Sequence, residues 1–144
     1  MRIDGLWRVC DDGATRPVFW GELPSDDGRW VQAPFLADLG ADRTVICADV
    51  WRLLKVQPRE STERLAGVGG EVKAGVLETA LRMRRNDSGT ALFRGEFAVF
   101  TDPVALDMSV LGRDILSLFA LIADQMQGVL CLLGSGHRYE IIRG

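Results

Sequence analysis

One carboxylate in the first half of the chain has the sequence setting of a catalytic acid. Asp38 follows the apolar residues 35–37 and comes two positions before Gly40. A second carboxylate, Asp42, and the β-branched residues 44–46 complete the segment. Burying an acid at the end of an apolar strand costs free energy unless the carboxylate is hydrogen-bonded, so such an acid suggests a functional role. An ionised carboxylate can take a proton from water. Asp38 is therefore the first candidate for chemistry.

Two further motifs lie far from Asp38 in the sequence. Gly67-Val68-Gly69-Gly70 separates two extended arms, and glycines at a hairpin tip tolerate positive φ and allow close approach of another backbone. The second motif is Val-Leu-Gly-Arg-Asp-Ile-Leu at residues 110–116, where Gly-Arg-Asp precedes a short helical pattern. Each motif alone also fits an ordinary turn or helix start.

In this order, the three motifs resemble those of the retropepsin-like aspartic proteases, the single-domain dimeric relatives of pepsin. That family has Asp-Thr-Gly or Asp-Ser-Gly after an apolar strand, commonly followed by Ala-Asp. A glycine-rich flap tip comes next, and an apolar-apolar-Gly-Arg-Asp sequence follows later. The resemblance spans most of the chain and implies that residues 1–144 form one all-β domain, a closed barrel with a flap hairpin and one short helix.

The resemblance also implies a role for each matching residue. Asp38 would be the catalytic carboxylate, and Leu39 and Gly40 would complete the catalytic loop. Asp42 and Arg113 would form a bidentate, partly buried ion pair that links this loop to the helix. The residues implied to contact substrate are Ala41, Asp42, Gly67, Val68, Gly69 and Gly70.

Pepsin-type hydrolysis requires two facing carboxylates that share one proton, because like charges held so close cannot both ionise. The ionised carboxylate takes a proton from a bound water, and the protonated one donates to the peptide carbonyl as the water attacks. The sequence offers one suitable acid, so the second must be Asp38 of a second copy related by a twofold axis. We therefore expect a homodimer that binds a peptide or protein substrate as an extended strand.

Leu39 departs from the family pattern, in which a Thr or Ser hydroxyl at this position joins a hydrogen-bonded grip across the dimer axis. A buried donor that loses this partner costs about 1–3 kcal/mol per site, whereas packing Leu39 against its copy returns about 1.5–3 kcal/mol per side chain. The dimer can therefore form, but the carboxylates are held less well. A misplacement of about 1 Å can cost about 100-fold in rate.

Two alternatives to an active endopeptidase stay open. A catalytically weak or inactive dimer with the same groove would act as a peptide-binding or scaffolding module, and Leu39 favours this hypothesis. The third hypothesis is a general β-barrel ligand-binding domain in which the motif is accidental.

Asp87-Ser88-Gly89 matches the family's catalytic triplet more closely than the segment at Asp38 does. It follows residues 82–86, which include three arginines, instead of an apolar strand. Asn-Asp-Ser-Gly is ordinary turn chemistry, and the triplet comes after the flap motif, whereas the catalytic Asp should precede it. We therefore interpret it as a turn.

Turn signals divide the chain into short strands that must position these motifs. Residues 18–24 and 29–38 flank Ser-Asp-Asp-Gly and predict a hairpin, which an earlier strand meets through Asp-Asp-Gly at 11–13. Residues 119–124 and 129–133 predict another hairpin.

Helical patterns are short. One turn is predicted over 48–54, and a helix over 112–118 with Ile115 and Leu118 on one face. A last strand is predicted over 137–142. Since retroviral members of the family dimerise through a sheet of chain termini, we expect this strand and the N-terminal strand to interdigitate with their symmetry mates.

Composition limits the partners, location and cofactors expected for this protein. A net charge of −3 argues against a nucleic-acid partner, and the arginines at 82 and 84 fit one solvated strand face. We find no signal peptide and no apolar run long enough to cross a membrane, so a cytoplasmic protein is expected. Three scattered cysteines and one histidine predict reduced, mostly buried thiols, no metal and no cofactor. The four tryptophans are expected in the core or at a dimer contact.

Overall fold

The fold is built almost entirely of strands. The structure is a computed structural model that describes residues 1–67, 70–138 and 140–142, and within these ranges it has eleven strands and two short helices. In chain order they are β1 (Arg2–Asp4), β2 (Leu6–Val9), β3 (Thr15–Pro24), β4 (Trp30–Ala37), β5 (Val45–Ile46), α1 (Ala48–Leu54), β6 (Arg59–Gly67), β7 (Gly70–Arg84), β8 (Thr90–Val99), β9 (Ser109–Leu111), α2 (Arg113–Leu116), β10 (Ala120–Asp124) and β11 (Val129–Leu133).

One large sheet forms the body of the protein. Its strand order is β2-β3-β4-β9-β5-β8-β7-β6, with parallel pairs at β4–β9 and β5–β8. A further pairing of Glu22 in β3 with Arg82 in β7 joins the two sides, so the sheet curls into a barrel. The predicted all-β barrel with a short helix is confirmed.

The predicted hairpins form where glycine punctuates the sequence. β3 and β4 pair along their lengths, and Gly28 closes the turn between them at φ +81°. Gly13 does the same between β2 and β3 at φ +80°. These backbone angles favour glycine, which explains why the turn signals located the strand ends. β10 and β11 pair as predicted.

A second, three-stranded sheet has the order β1-β11-β10. The expected pairing of the chain ends with a second copy stays a prediction, but the predicted last strand is wrong. β1 pairs with β11 of its own chain, and the buried Ile3 stabilises that pairing. The predicted strand over 137–142 is not formed by residues 137, 138 or 140–142, and Tyr139 lies outside the described residues. Both edges of β11 are already occupied, and the chain turns away at Gly136, with φ +92°.

The helices are short, and the second is shorter than predicted. α1 matches the predicted turn over 48–54, but α2 ends at Leu116 instead of continuing to 118. Ile115 and Leu116 are buried, whereas Leu118, which we expected beside Ile115, is 61% exposed. The chain leaves α2 through a tight turn, in which the N–H of Leu118 donates to the carbonyl of Ile115, because β10 must begin two residues later. Within the described ranges, neither helix is long and apolar enough to cross a membrane.

Two apolar clusters fill the interior. The larger includes Phe19, Phe35 and Leu81, and the smaller includes Val45 and Phe100. β5 lies between β9 and β8 in the sheet and carries Val45 into the smaller cluster. This cluster therefore lies directly below the segment that follows Asp38.

The tryptophans lie at the margin of the core. Trp7 and Trp51 pack against the larger cluster while remaining partly exposed, and Trp20 is exposed. The guanidinium of Arg82 lies 4.0 Å from the ring centroid of Trp30, a cation–π contact on the outside of β7. None of the four tryptophans is fully buried, so the expected core positions hold only for the packed faces of Trp7 and Trp51.

We predict that one of the three free cysteines reacts readily in the folded protein. Cys47 and Cys131 are buried, whereas Cys10 is half-buried. Burial, and then the charge of Asp4, raise the pKa of the Cys131 thiol, so it holds less thiolate at neutral pH than an ordinary cysteine. Titration with an aromatic disulfide reagent should give one rapid equivalent in buffer and three in denaturant. Cys10→Ser should remove the rapid one, and two rapid equivalents in the native protein would contradict the prediction.

Candidate functional site

The apolar strand β4 delivers Asp38 to the barrel surface. The N–H of Asp38 extends the β4–β9 pairing by donating to the carbonyl of Leu111 over 3.1 Å. The chain then turns: the N–H of Gly40 donates to Asp38 Oδ1 over 2.8 Å, and the N–H of Ala41 donates to the Asp38 carbonyl over 3.2 Å. The backbone therefore fixes one carboxylate oxygen, while the side chain stays half-buried.

Leu39 occupies the tip of this turn. Its side chain is 57% exposed, and the neighbouring Gly40 is exposed as well. The turn therefore presents an apolar surface beside a carboxylate, at a position where no side-chain hydroxyl is available for hydrogen bonding.

The start of α2 holds the segment that follows the turn. The N–H of Arg113 donates to the carbonyl of Ala41 over 2.8 Å, and the N–H of Asp114 donates to the carbonyl of Asp42 over 3.3 Å. These two bonds run between segments about 70 residues apart in sequence, so the Gly-Arg-Asp motif positions the Asp38 turn by direct backbone contact.

Hydrogen bonds of the buried Thr44 complete this attachment. Thr44 is 1% exposed, and its hydroxyl donates to Asp114 Oδ1 over 2.7 Å while accepting from the N–H of Gly112 over 3.1 Å. The N–H of Thr44 donates to Asp114 Oδ2 over 2.9 Å, so both carboxylate oxygens are used. Gly112 is required here because a Cβ would lie 2.4 Å from the carbonyl carbon and oxygen of Arg43.

Asp42 and Arg113 form an ion pair between Arg113 Nη2 and Asp42 Oδ1. Their side chains are 75% and 54% exposed, respectively, so the expectation of a partly buried pair is wrong. The buried residue of this region is Thr44, two positions after Asp42, whereas Asp114 is exposed. An exposed ion pair contributes little to stability, so the hydrogen bonds of Thr44 hold the two segments together.

A cavity of about 370 Å³ opens beside the carboxylate of Asp38. One wall comes from the turn and β5, and the opposite side comes from Leu65 on β6, one arm of the β6–β7 hairpin. The described residues that line it are Asp38, Gly40, Ala41, Asp42, Arg43, Val45 and Leu65.

The hairpin formed by β6 and β7 ends at the glycine-rich motif. Gly67 pairs with Gly70, and Gly70 has φ +125°. Val68 and Gly69 lie outside the described residues. Leu65, on the same hairpin, lines the Asp38 cavity.

Sequence analysis did not select Arg43, Thr44, Val45 or Leu65 as site residues. Thr44 and Val45 were seen only as a β-branched run, although a hydroxyl in a buried strand needs partners and was a usable signal. Leu65 comes from a distant strand, and no local pattern links it to Asp38.

Asp87 has the role of a turn residue, as predicted. Its Oδ1 accepts the N–H of Gly89 over 3.0 Å, and its Oδ2 is paired with Arg85. The backbone N–H of Gly89 and the guanidinium of Arg85 lower the pKa of the Asp87 carboxyl. Ser88, at φ +68°, occupies the left-handed region between them.

Two solved structures share this arrangement of strands. A retropepsin-like aspartic protease from Rickettsia conorii is 19% identical, with a TM-score of 0.59 over 92% of this chain and 88% of its own. The chain has a retropepsin-like fold. EIAV protease, complexed with an inhibitor, is 25% identical, with a TM-score of 0.50 over 71% of this chain and 86% of its own. No family model and no curated protein matches the chain.

The hydrogen bonds of Thr44 give a stability prediction for the retropepsin-like barrel. Thr44→Val should lower the free energy of unfolding by about 1–3 kcal/mol, because the buried N–H of Gly112 loses its acceptor and Asp114 Oδ1 loses one of its two donors. Thr90→Val, at an exposed position in β8, is the matched control and should stay within about 0.5 kcal/mol of wild type. Urea denaturation measures both, and equal values for the two variants would contradict the role of Thr44.

Proposed function

We propose that this chain, with residues 1–144 acting as a single domain, is a homodimeric aspartic endopeptidase that hydrolyses peptide bonds in extended peptides. The observation that carries the proposal is the position of Asp38. It follows a buried strand of a retropepsin-like fold, its turn is fixed by α2, and it borders a cavity that the β6–β7 hairpin encloses on the opposite side.

The second catalytic carboxylate would be Asp38 of the partner subunit. In an isologous dimer the two turns would meet at the twofold axis, and two carboxylates in contact would hold one proton between them. The ionised carboxylate would deprotonate a bound water, and the other would donate its proton to the scissile carbonyl. The exposed, apolar tip of the turn supports this arrangement, because burial of Leu39 against its copy would stabilise the dimer.

The β6–β7 hairpin would act as the flap. It places Leu65 over the cavity and ends in backbone that favours glycine, as a lid that approaches a peptide closely requires. Closure over an extended substrate would exclude water and align the scissile bond. Ala41, Asp42 and the four residues of the tip motif would contact the bound peptide.

The cysteines support a reducing compartment. All three are free thiols, and two are buried. Because disulfides are rare in the cytoplasm and thiols persist there, we propose that the enzyme acts in the cytoplasm.

Asp38→Asn should reduce cleavage of a peptide library by at least about 100-fold between about pH 4 and 7, because the amide cannot take a proton from water. Asp87→Asn is the matched control. Asp87-Ser88-Gly89 matches the family's catalytic triplet more closely than residues 38–40 do, but Asp87 lies in a turn. This control should retain wild-type activity. Activity that survives Asp38→Asn, or is lost in Asp87→Asn, would rule out Asp38 as the catalyst.

The same variant also tests the dimer. If each active site uses one carboxylate from each subunit, mixed dimers of wild-type and Asp38→Asn chains are inactive. After subunit exchange, activity should then fall as the square of the wild-type fraction. A linear fall would mean that each chain acts alone.

A second candidate function is supported by Leu39. The same dimeric groove, catalytically weak or inactive, would bind a peptide or scaffold a partner. At this exposed tip, a leucine can pack against its copy across the twofold axis. It cannot form the hydrogen bonds that would hold the two catalytic loops in alignment. Peptide binding without turnover, in an intact dimer, would support this candidate over the protease.

We predict that Leu39→Thr raises kcat/KM, by up to about 100-fold, because a hydroxyl would improve carboxylate positioning. Leu53→Thr, at a similarly exposed leucine on α1, is the matched control and should leave kcat/KM unchanged. Dimer stability, measured by sedimentation, should fall in Leu39→Thr as apolar contact is lost. An unchanged or lower kcat/KM in Leu39→Thr, with the dimer intact, would show that position 39 does not limit catalysis.

A further inference from the structure

The three-stranded sheet leaves one edge of β10 open. Within the described residues, β10 pairs with β11 alone, and no other hydrogen bond reaches its backbone. Alternate N–H and carbonyl groups of an edge strand point away from its neighbour, so this edge presents unpaired donors and acceptors to solvent. A strand of another chain can bind to such an edge.

The hydrogen bonds of β11 identify the outward groups of β10. The carbonyl of Leu130 accepts an N–H from the residue that follows β1, over 2.9 Å, so every second residue of β11 from Leu130 faces β1. Cys131 therefore faces β10, where its partner is Ile122. The backbone groups of Ile122 face β11 in turn, and those of Leu121 and Ala123 point outward.

The other edge strands are protected against such pairing. The outer edge of β1 is partly occupied, because Asn86 donates its N–H to the carbonyl of Arg2 over 2.9 Å. β2 carries Arg8 within its four residues, and β6 has an irregular register between Glu60 and Arg64. Charges and bulges are devices by which edge strands avoid pairing. β10 reads Ala-Leu-Ile-Ala-Asp, with its single charge at one end.

The position of that charge favours a second copy of β10 in the antiparallel direction. In self-pairing centred on Ile122, Leu121 lies opposite the partner's Ala123, and the outward groups of the two strands match. The two Asp124 carboxylates are then about 14 Å apart along the strands, beyond the screening length of about 10 Å at 0.1 M salt. A parallel pairing would put these carboxylates side by side, which is unfavourable.

β10 is also connected to the Asp38 turn by one short helix. α2 begins where the N–H of Arg113 donates to the carbonyl of Ala41, and its 4 residues span about 6 Å. The chain then reaches β10 through a turn that leaves Leu118 61% exposed. Each Asp38 turn would therefore lie within one short helix and one turn of a twofold axis through β10, and Leu118 would lie between them.

We propose that two copies of this chain dimerise by antiparallel pairing of β10 with β10 of the second copy, and that each copy thereby supplies one Asp38 to a shared site. The two three-stranded sheets become one continuous sheet across the twofold axis. The shared site rests on the function proposed above, whereas the strand pairing rests on the open edge of β10. This interface uses neither β1 nor residues 137–142.

A charge at the axis tests this pairing in the full chain. Ile122 is half-buried and lies opposite its copy in the proposed register. Ile122→Lys and Ile122→Asp should each raise the dimer dissociation constant by at least about 100-fold, because like charges replace an apolar pair. Sedimentation equilibrium measures this constant. Mixed in equal amounts, the two variants should dimerise again, and a mixture that stays monomeric would overturn the pairing.

A backbone variant keeps the result interpretable if a charge at position 122 disturbs the fold. Ala123→Pro removes an outward N–H and leaves the pairing with β11 intact, so it removes two symmetric hydrogen bonds and should weaken the dimer by at least about tenfold.

Val9→Pro is the matched control for this backbone change. Val9 is 70% exposed on the open edge of β2. The N–H of the next residue, Cys10, donates to the carbonyl of Ala14, so that of Val9 faces outward. This control should leave the dimer unchanged. A dimer that resists Ala123→Pro, or that Val9→Pro weakens equally, would overturn the assignment to β10.

The interface and the endopeptidase proposal fail differently. A wild-type dimer that cleaves peptides but resists the substitutions at positions 122 and 123 would overturn the β10 interface alone. A dimer that these substitutions dissociate, but that cleaves no peptide as wild type, would support the interface and overturn the endopeptidase. A wild-type chain that sediments as a monomer at every concentration would overturn both.

Discussion

A contact between the buried Thr44 and the carboxylate of Asp114 connects the two halves of the site. The Asp114 carboxylate takes one hydrogen bond from the Thr44 hydroxyl and one from its backbone N–H, and Gly112 allows the two segments to meet without a side chain between them. Because Thr44 and Gly112 are buried, loss of the hydroxyl would leave the N–H of Gly112 unpaired. The exposed pair of Asp42 and Arg113 lies beside it and is screened by solvent. The barrel therefore positions the Asp38 turn through these contacts of Thr44, Gly112 and Asp114.

The Asp38 turn combines a carboxylate that the backbone holds in place with an exposed leucine at its tip. The backbone N–H groups of Gly40 and Ala41 donate hydrogen bonds to the side chain and the carbonyl of Asp38. Leu39 is exposed to solvent and has no side-chain hydrogen-bond donor or acceptor. A dimer built on such a tip gains association energy from apolar burial, which is non-directional, and loses a directional hydrogen bond. In the proposed dimer, affinity between subunits and alignment of their carboxylates would thus be separate properties, and residue 39 would affect them in opposite directions.

Local signals predicted much of the fold. Gly13 and Gly28 marked turns because their backbone angles favour glycine, and the apolar run before Asp38 marked a strand, which pairs with β3 at one edge and β9 at the other. The signals failed where distant segments decide the outcome. Leu118 follows a helical pattern but is turned outward by the start of β10. Leu65 joins the cavity lining only because the folded chain packs it against the cluster that contains Val45. The prediction of an ion pair between Asp42 and Arg113 rested on a resemblance, which carries no information about burial.

The pairing of β1 with β11 joins the first residues of the chain to nearly the last strand. The parallel pairing of β4 with β9 supports the Asp38 turn, and β9 is also synthesised much later than β4. Non-local pairings of this kind form slowly and only after the intervening chain is available. During synthesis on the ribosome, β4 therefore emerges long before its neighbour. Until β9 has emerged, the nascent chain carries the carboxylate of Asp38 without the strand that orders its loop.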